Sequence, residues 1–302
     1  MAGNGAADCF DSVVDLLGWQ LLLEPLSGAD SDSAQSVRAR GDFRIGRDQR
    51  GDGSRFLPAQ ASGDGSAQLI SSLDFFDMIV CYVTDHHLLS ESGSEGAQVE
   101  LSRRIAWAAA AGVDWIQIRE KDLSAGELVE VARKGVAASK RANGGTCVVV
   151  NDRIDVALAA GAAGVHLGGG SVPVEAAVEW LRRENAAKDF LVGVSCHEIS
   201  EAIAAEKAGA NYVLFGPVYE TPSKKRFGPP QGIEKLRDVC KAVCIPVVAI
   251  GGITQGNASE CIRAGAAGIA AIRMFQQARD AASFASVVSK LRALSSVNGA
   301  NS

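Results

Sequence analysis

Aromatic residues are scarce in this sequence, since Phe, Trp and Tyr together make up 6% of its 302 residues. Long apolar runs are also missing, so we expect no membrane-spanning segment. The N-terminus lacks the basic region and the apolar region of a signal peptide. The net charge of -5 argues against the broad basic surface of a nucleic-acid-binding protein. These absences predict a cytoplasmic protein with no membrane or nucleic-acid partner.

The cysteine pattern argues against a disulfide framework. Seven cysteines are scattered along the chain, which is an odd number without the spacing of a small secreted domain. Cys240 and Cys244 are four residues apart, but no histidine or second cysteine pair accompanies them. The sequence therefore predicts reduced thiols and no structural zinc site at this pair.

What is present divides the chain into two regions. Residues 27–65 are rich in Gly, Ser, Asp and Arg, and such a composition buries too little apolar surface to offset its ordering entropy. We predict that residues 1–77 form a low-complexity, largely disordered extension, and that residues 296–302 form a tail. Met78 opens a clean apolar strand, so an alternative start of the chain at Met78 is a hypothesis.

From Met78 onward, an Ala-rich helical segment that ends in Ala-Gly and is followed by a short apolar strand recurs along the chain. Glycine supplies the left-handed position just past a helix, and parallel buried strands are near-continuous apolar runs. The predicted strands are 79–83, 114–118, 147–150, 164–167, 191–195, 212–215, 247–250 and 268–272. Helical stretches are predicted at 125–141, 174–184, 200–208 and 233–242.

Eight strands that alternate with helices over residues 78–295 predict an α/β protein with a (β/α)8 TIM barrel. A doubly wound open sheet is the alternative arrangement. The sequence has no Gly-x-Gly-x-x-Gly after an early strand, which weighs against a dinucleotide-binding sheet.

The most informative run lies at the end of the second predicted strand. Because side chains alternate in a strand, Gln117, Arg119 and Lys121 share one face, and Glu120 lies on the other. Two cations and an amide on one face favour an anion such as a phosphate. The alternative is a strand end with ordinary solvated charges. Glu120 is expected to pair with a neighbouring cation.

Polar or glycine-rich residues follow nearly every other predicted strand as well. In a TIM barrel these positions meet at one end, where active sites lie. They are Thr84-Asp85, Asn151-Asp152-Arg153, His166-Leu167-Gly168, Ser195-Cys196-His197, Gly216-Pro217 and Gly251-Gly252-Ile253.

The order and spacing of short motifs carry a family resemblance over about residues 78–295. These motifs are Gln117-x-Arg119-x-Lys121, Asn151-Asp152-Arg153, Gly164-Val165-His166-Leu167-Gly168, Gly193-Val194-Ser195-x-His197, Gly216-Pro217-Val218-Tyr219, Thr221-x-Ser223-Lys224-Lys225 and Gly251-Gly252-Ile253. The chain resembles the thiamine-phosphate synthase family and its thiazole tautomerase relatives.

The resemblance implies a transferase. A hydroxymethylpyrimidine diphosphate would lose pyrophosphate, and the ring nitrogen of a thiazole phosphate would capture the resulting carbocation to give thiamine phosphate. Such chemistry needs positioning, charge neutralisation and exclusion of water. The implied partners are therefore two small-molecule substrates and Mg²⁺, and the oligomeric state stays open, a homo-oligomer included.

The resemblance also assigns roles to residues of this sequence. The residues that would contact the diphosphate and the reacting groups are Arg119, Lys121, Lys224 and Ser195. Substrate binding would fall to Gln117 at the pyrimidine, to Asn151, to Thr221 and Ser223 at the thiazole, to Gly251 and Gly252 at the thiazole phosphate, and to Ile272. Asp152 matches a magnesium ligand, since Mg²⁺ binds through one or two carboxylates and substrate phosphates.

Two positions depart from the family pattern. Synthases usually carry a second magnesium-binding acid where this chain has Ser171, and a serine where it has Arg273. Tautomerases also tend to lack that acid, so an alternative function is tautomerisation of the thiazole carboxylate phosphate without Mg²⁺, with His197 as base and acid. A third alternative is a thiazole-phosphate-binding barrel that has lost catalysis. Arg273 would reach the phosphate site or point to solvent.

Several single residues have simpler interpretations. We expect His166 to be a packed core histidine rather than a ligand, and Trp115 to fill core rather than stack on a substrate. His86 and His87 follow the first predicted strand and are expected to be solvated loop residues.

Overall fold

The computed structural model describes residues 78–89, 93–142, 145–184, 186, 189–221 and 229–298. The predictions for residues 1–77, including the alternative start, therefore concern a segment outside the described residues. Within the described ranges, no helix is both long enough and apolar enough to span a membrane.

Short apolar strands alternate with helices along the described chain. The strands are β1 (Ile79–Val83), β2 (Trp115–Ile118), β3 (Cys147–Asn151), β4 (Gly164–Leu167), β5 (Leu191–Cys196), β6 (Tyr212–Phe215), β7 (Val247–Ile250) and β8 (Gly268–Ala271). The helices are α1 (Gly93–Ala111), α2 (Ala125–Arg141), α3 (Ile154–Ala160), α4 (Val174–Arg183), α5 (Ile199–Lys207), α6 (Gly232–Ala242), α7 (Ala258–Arg263), α8 (Arg273–Gln276) and α9 (Ala281–Asn298), and a 3₁₀ turn spans His86–Leu88.

The strands form a closed parallel barrel in sequence order. Each strand pairs with the next along the chain, and β1 pairs with β8 through registers such as Ile79 with Gly268 and Tyr82 with Ala271. Because all strands run the same way, their carboxyl ends meet at one end of the barrel. The prediction of a (β/α)8 TIM barrel is confirmed, and the open-sheet alternative is wrong.

Strand alternation divides the apolar residues between two layers. Tyr82 of β1 faces the helices, where its ring packs edge-on against Phe275 and Phe284 at centroid distances of 5.6 and 5.7 Å. Its neighbours Cys81 and Val83 point into the barrel, where they pack with strand residues. The barrel interior is therefore a packed core rather than a pore, as this fold requires.

The aromatic ring of Tyr212 fills part of that interior. A Cβ on Gly193, in the neighbouring strand, would lie 2.0 Å from a ring carbon of Tyr212, so only glycine fits there. Trp115 packs against this ring, at a centroid distance of 4.4 Å. The prediction that Trp115 fills core is confirmed.

At the amino ends of the strands, an arginine of α9 fastens the last helix to the first strand. The Arg292 guanidinium donates to the Met78 carbonyl oxygen at 2.5 Å and to the Asp114 carboxylate at 2.6 Å. The same Asp114 carboxylate accepts a hydrogen bond from the Val80 backbone N–H at 2.7 Å. These contacts link α9 to the amino ends of the strands, and the opposite end of the barrel carries the candidate site.

The cysteines in the described part of the chain have free thiols. Cys81, Cys196 and Cys261 are buried. Burial raises the pKa of the Cys261 thiol to about 11, and the Glu260 carboxylate adds to this rise while a hydrogen bond with Tyr219 opposes it. These thiols are therefore protonated and poorly reactive near neutral pH.

Candidate active site

Gln117 and Asn151 lie side by side at the carboxyl ends of β2 and β3. The Gln117 amide nitrogen donates to the Asn151 side-chain oxygen at 2.8 Å. Gln117 is only 2% exposed, and its side-chain oxygen, Oε1, has no hydrogen-bond partner within the described structure. A buried amide oxygen without a partner is costly, so it is suited to accept a hydrogen bond from a bound molecule.

Asp152 follows directly and has an unusual backbone. Its φ angle is 62°, in the left-handed region that non-glycine residues rarely adopt. The carboxylate accepts hydrogen bonds from the Asn151 amide nitrogen at 2.5 Å and from the Gly168 backbone N–H at 2.9 Å. The side chain of Asp152 is nevertheless exposed, so it is oriented by its neighbours and accessible to a ligand.

Ser171 lies against this carboxylate. Its hydroxyl donates to Asp152 Oδ1 and accepts from the Gly168 backbone N–H at 2.8 Å. The position at which the family resemblance predicts a second acid thus supplies a neutral oxygen beside Asp152. Sequence reasoning noted the missing acid but did not foresee this contact.

The chain leaves the sheet after Ile118, so the expected strand alternation does not continue to Lys121. Arg119 is half-buried and Lys121 is exposed, both at the barrel end that carries the site. The Arg119 backbone N–H donates to the hydroxyl of buried Thr84 at 3.0 Å. Thr84, which had no predicted role, therefore fixes the backbone that carries the two cations.

Glu120 pairs with His86 of the 3₁₀ turn after β1. Its buried carboxylate accepts from the His86 backbone N–H at 2.9 Å and contacts His86 Nδ1 at 2.7 Å. The prediction of a solvated loop residue is wrong for His86, whose side chain is only 12% exposed. It is confirmed for His87, which is 67% exposed.

His166 lies inside the barrel between two hydroxyl groups. Its Nε2 is 2.9 Å from Ser195 Oγ, and its Nδ1 is 3.3 Å from the Tyr212 hydroxyl. Burial lowers the pKa of His166 to about 3; the Asp152 carboxylate partly opposes this shift, and the Arg119 guanidinium adds to it. The prediction of a packed core histidine is confirmed, and this neutral imidazole positions Ser195.

His197 lies at the carboxyl end of β5 and is half-buried. Its Nδ1 contacts the Gly216 carbonyl oxygen, which accepts only, so Nδ1 carries a proton in this contact. Its backbone N–H donates to the Glu201 carboxylate at 2.6 Å. These two contacts therefore fix the position of His197 at the barrel end that carries the site.

Gly251 and Gly252 turn the chain sharply after β7. Their φ angles are 96° and 67°, and a Cβ would lie 2.5 Å from Pro217 Cα at the first and 2.6 Å from the Glu220 carbonyl oxygen at the second. The Gly251 carbonyl oxygen accepts from the Tyr219 backbone N–H at 3.0 Å. Only glycine can therefore occupy these two positions of the turn.

The remaining predicted site residues lie after β6 and β8 or outside the described residues. Ile272 follows β8 and packs with the barrel interior, and Thr221 is half-buried in the segment after β6. Arg273 begins α8, and its side chain is exposed. Ser223 and Lys224 lie outside the described residues. The roles assigned to these residues stay predictions.

The sequence model of the thiamine monophosphate synthase family matches residues 82–275.

The chain belongs to this family.

Among the family's curated proteins, the thiamine-phosphate synthase of Methanoregula boonei is 44% identical over 180 residues, which cover 60% of this chain and 79% of that protein. The thiamine-phosphate synthase of Chloroflexus aurantiacus is 40% identical over 216 residues, covering 72% of this chain and 92% of that protein. The solved structure of a thiamine phosphate pyrophosphorylase from Pyrococcus furiosus superposes with a TM-score of 0.61 at 31% identity, covering 73% of this chain and 96% of that one. The family suggested by the sequence motifs is therefore confirmed.

Proposed function

We propose that this protein is a thiamine-phosphate synthase, a cytoplasmic transferase of thiamine biosynthesis that joins hydroxymethylpyrimidine diphosphate to thiazole phosphate. The carbon–oxygen bond to the diphosphate breaks and releases pyrophosphate. A carbon–nitrogen bond to the thiazole ring nitrogen then forms.

The observation that carries this proposal is the row of linked polar groups at the carboxyl ends of β2, β3 and β4. Gln117 bonds to Asn151, Asn151 bonds to Asp152, and Asp152 bonds to the residues that follow β4. Arg119 and Lys121 follow the same β2 and bring two positive charges to this row. A planar guanidinium and an ammonium are suited to an oligophosphate.

The residues at this row also fit a magnesium ion. Mg²⁺ prefers oxygen ligands and is commonly bound through one or two carboxylates together with substrate phosphates. The Asp152 carboxylate is exposed and oriented, and the Ser171 hydroxyl beside it adds a neutral oxygen. When bound, the ion would offset the charge of the diphosphate leaving group.

The other residues position the two substrates. The unpaired Gln117 oxygen would accept a hydrogen bond from an amino group of the pyrimidine. Ser195, held by neutral His166, would lie near the reacting groups. The backbone N–H groups of Gly251 and Gly252 would meet the thiazole phosphate, at the usual phosphate site of this fold.

The direct test is formation of thiamine phosphate by the full chain from both substrates, with and without Mg²⁺. We expect product and pyrophosphate in equal amounts, only when both substrates and Mg²⁺ are present. Arg119→Ala should lower kcat/KM by roughly 100-fold or more, because the leaving group loses its guanidinium. Arg183→Ala is the matched control, since that side chain is 73% exposed on α4 and should leave activity unchanged.

The same preparation separates the synthase from a thiazole tautomerase. The missing second acid at Ser171 favours the tautomerase, whereas the named relatives favour the synthase. Isomerisation of the thiazole carboxylate phosphate without Mg²⁺, lost in His197→Ala and retained in Arg119→Ala, would overturn the proposal in favour of the tautomerase.

A further inference from the structure

A cluster of two histidines and an aspartate lies beside the candidate site and has no part in the proposed reaction. His86 and His87 belong to the 3₁₀ turn after β1, and Asp122 lies in the loop after β2. Both histidine Nε2 atoms are 3.3 Å from Asp122 Oδ2. Among the described residues, this is the one group of His, Cys, Asp or Glu side chains with three potential ligand atoms within 4.8 Å of one another.

We propose that His86, His87 and Asp122 bind a divalent transition-metal ion of the zinc type. Two imidazole nitrogens and one carboxylate oxygen form a common zinc ligand set, whereas Mg²⁺ and Ca²⁺ prefer oxygen alone. In a tetrahedral site with ligands at about 2.1 Å, neighbouring ligand atoms are roughly 3.4 Å apart. The separations of both imidazole nitrogens from the carboxylate oxygen are already 3.3 Å.

Glu120 supplies the supporting interaction that zinc-binding histidines usually have. Its carboxylate oxygen is 2.7 Å from His86 Nδ1. Because a carboxylate accepts only, His86 Nδ1 carries the proton and Nε2 is left to bind a metal. The carboxylate–histidine–metal arrangement orients the ring and raises its basicity.

The burial of Glu120 also supports a cation at this place. Its side chain is 1% exposed, and its second oxygen, Oε1, has no hydrogen-bond partner among the described residues. A buried carboxylate needs compensating positive charge. A zinc ion bound by His86 would deliver that charge through the ring, and the exposed His87 and Asp122 would complete the site from the solvent side.

The proposed ion would tie the turn after β1 to the loop after β2. That loop begins with Arg119 and Lys121, so the metal would act as a structural brace for the residues that bear the two cations. A fourth position would be left to water, as three protein ligands are present. The proposal stands on the cluster alone and does not depend on which reaction the barrel catalyses.

The test is zinc binding by the full chain after treatment with a chelator, measured by equilibrium dialysis. We expect one zinc ion per chain, and Co²⁺ in its place should give the intense visible absorption of a low-coordinate site. His87→Ala and Asp122→Asn should each lose this ion and this spectrum. Both residues are exposed, so these variants should fold.

Two further variants keep the experiment decisive. Glu120→Gln should retain the ion with an affinity roughly 10–100-fold weaker, as expected for a supporting group. Cys244→Ser removes an exposed thiol that could bind zinc adventitiously. This variant should bind one zinc ion with the same affinity as the unaltered chain. Failure of the full chain to bind zinc, or equal binding by His87→Ala, would overturn the proposal.

Discussion

At the scale of single residues, Ser171 would set the Mg²⁺ requirement of the proposed reaction. Its hydroxyl contacts the Asp152 carboxylate, so a neutral oxygen lies where the family resemblance predicts a second negative charge. Affinity for a hard cation rises with the number of charged oxygen ligands. The present arrangement should therefore need more Mg²⁺ than one with two acids.

Ser171→Asp should lower the Mg²⁺ concentration for half-maximal activity by roughly tenfold. The added charge should also lower the stability of the metal-free protein, because two carboxylates would lie side by side. Titration of activity with Mg²⁺ and thermal unfolding with a chelator measure the two effects. Ser171→Asn, which adds similar bulk without charge, is the control, and an equal Mg²⁺ requirement in all three proteins would contradict the role given to Ser171.

His166 makes stability depend on pH. Its ordinary pKa is 6.5, and burial lowers it to about 3 in the folded protein. Between these values the unfolded chain binds a proton that the folded chain does not, so acid favours unfolding. As the pH falls from 6.5 towards 3, His166 should therefore lower the free energy of unfolding by about 1 kcal/mol per pH unit.

His166→Gln should remove this contribution, whatever its effect on stability at neutral pH. Urea unfolding at several pH values between 7 and 4 measures the slope of the unfolding free energy in both proteins. The variant should lose stability less steeply with acid. Parallel slopes would show that folding leaves the pKa of His166 near its ordinary value.

At the scale of elements, α9 depends on Arg292. This guanidinium bonds to the Met78 carbonyl and to Asp114, and it joins the last helix to the first strand. Arg292→Ala should lower the free energy of unfolding by about 1–2 kcal/mol. A fully buried ion pair would contribute more, but Arg292 and Asp114 are partly exposed.

The matched control is Arg103→Ala, which removes an exposed arginine paired with Glu100 one helical turn away. That change should cost less than about 0.5 kcal/mol. Urea denaturation of both variants gives the comparison. Similar losses in the two would mean that Arg292 does not fasten α9.

The elements also show what a sequence can and cannot predict here. The bounds of β1, β4, β6 and β7 match the predicted strands, because strands covered on both faces are near-continuous apolar runs with glycine or polar residues at their ends. The pairing of His86 with Glu120 was missed, since these residues are 34 positions apart and only strand register brings them together. The hydroxyl contact of Ser171 with Asp152 depends likewise on loop geometry that no periodicity encodes.

At the scale of the whole molecule, the barrel is complete within residues 78–298. β1 closes on β8, and the apolar cluster between strands and helices starts at Met78 and ends at Leu291. A chain that begins at Met78 should therefore fold and keep its activity. Thermal unfolding and kcat/KM of residues 78–302 should match those of the full chain, and a fragment that aggregates or is inactive would assign the first 77 residues a role in the barrel.

The closure of the barrel also sets an order of events during synthesis. Arg292 and Met78 are 214 positions apart in the sequence. Strand β1 pairs with β2 on one side and with β8 on the other. Contacts between such distant segments form slowly, because the chain must lose the conformational entropy of the long loop before these contacts can stabilise it. On the ribosome, one edge of β1 therefore stays unpaired until β8 has emerged. Until then the nascent barrel exposes a strand edge of the kind that promotes aggregation.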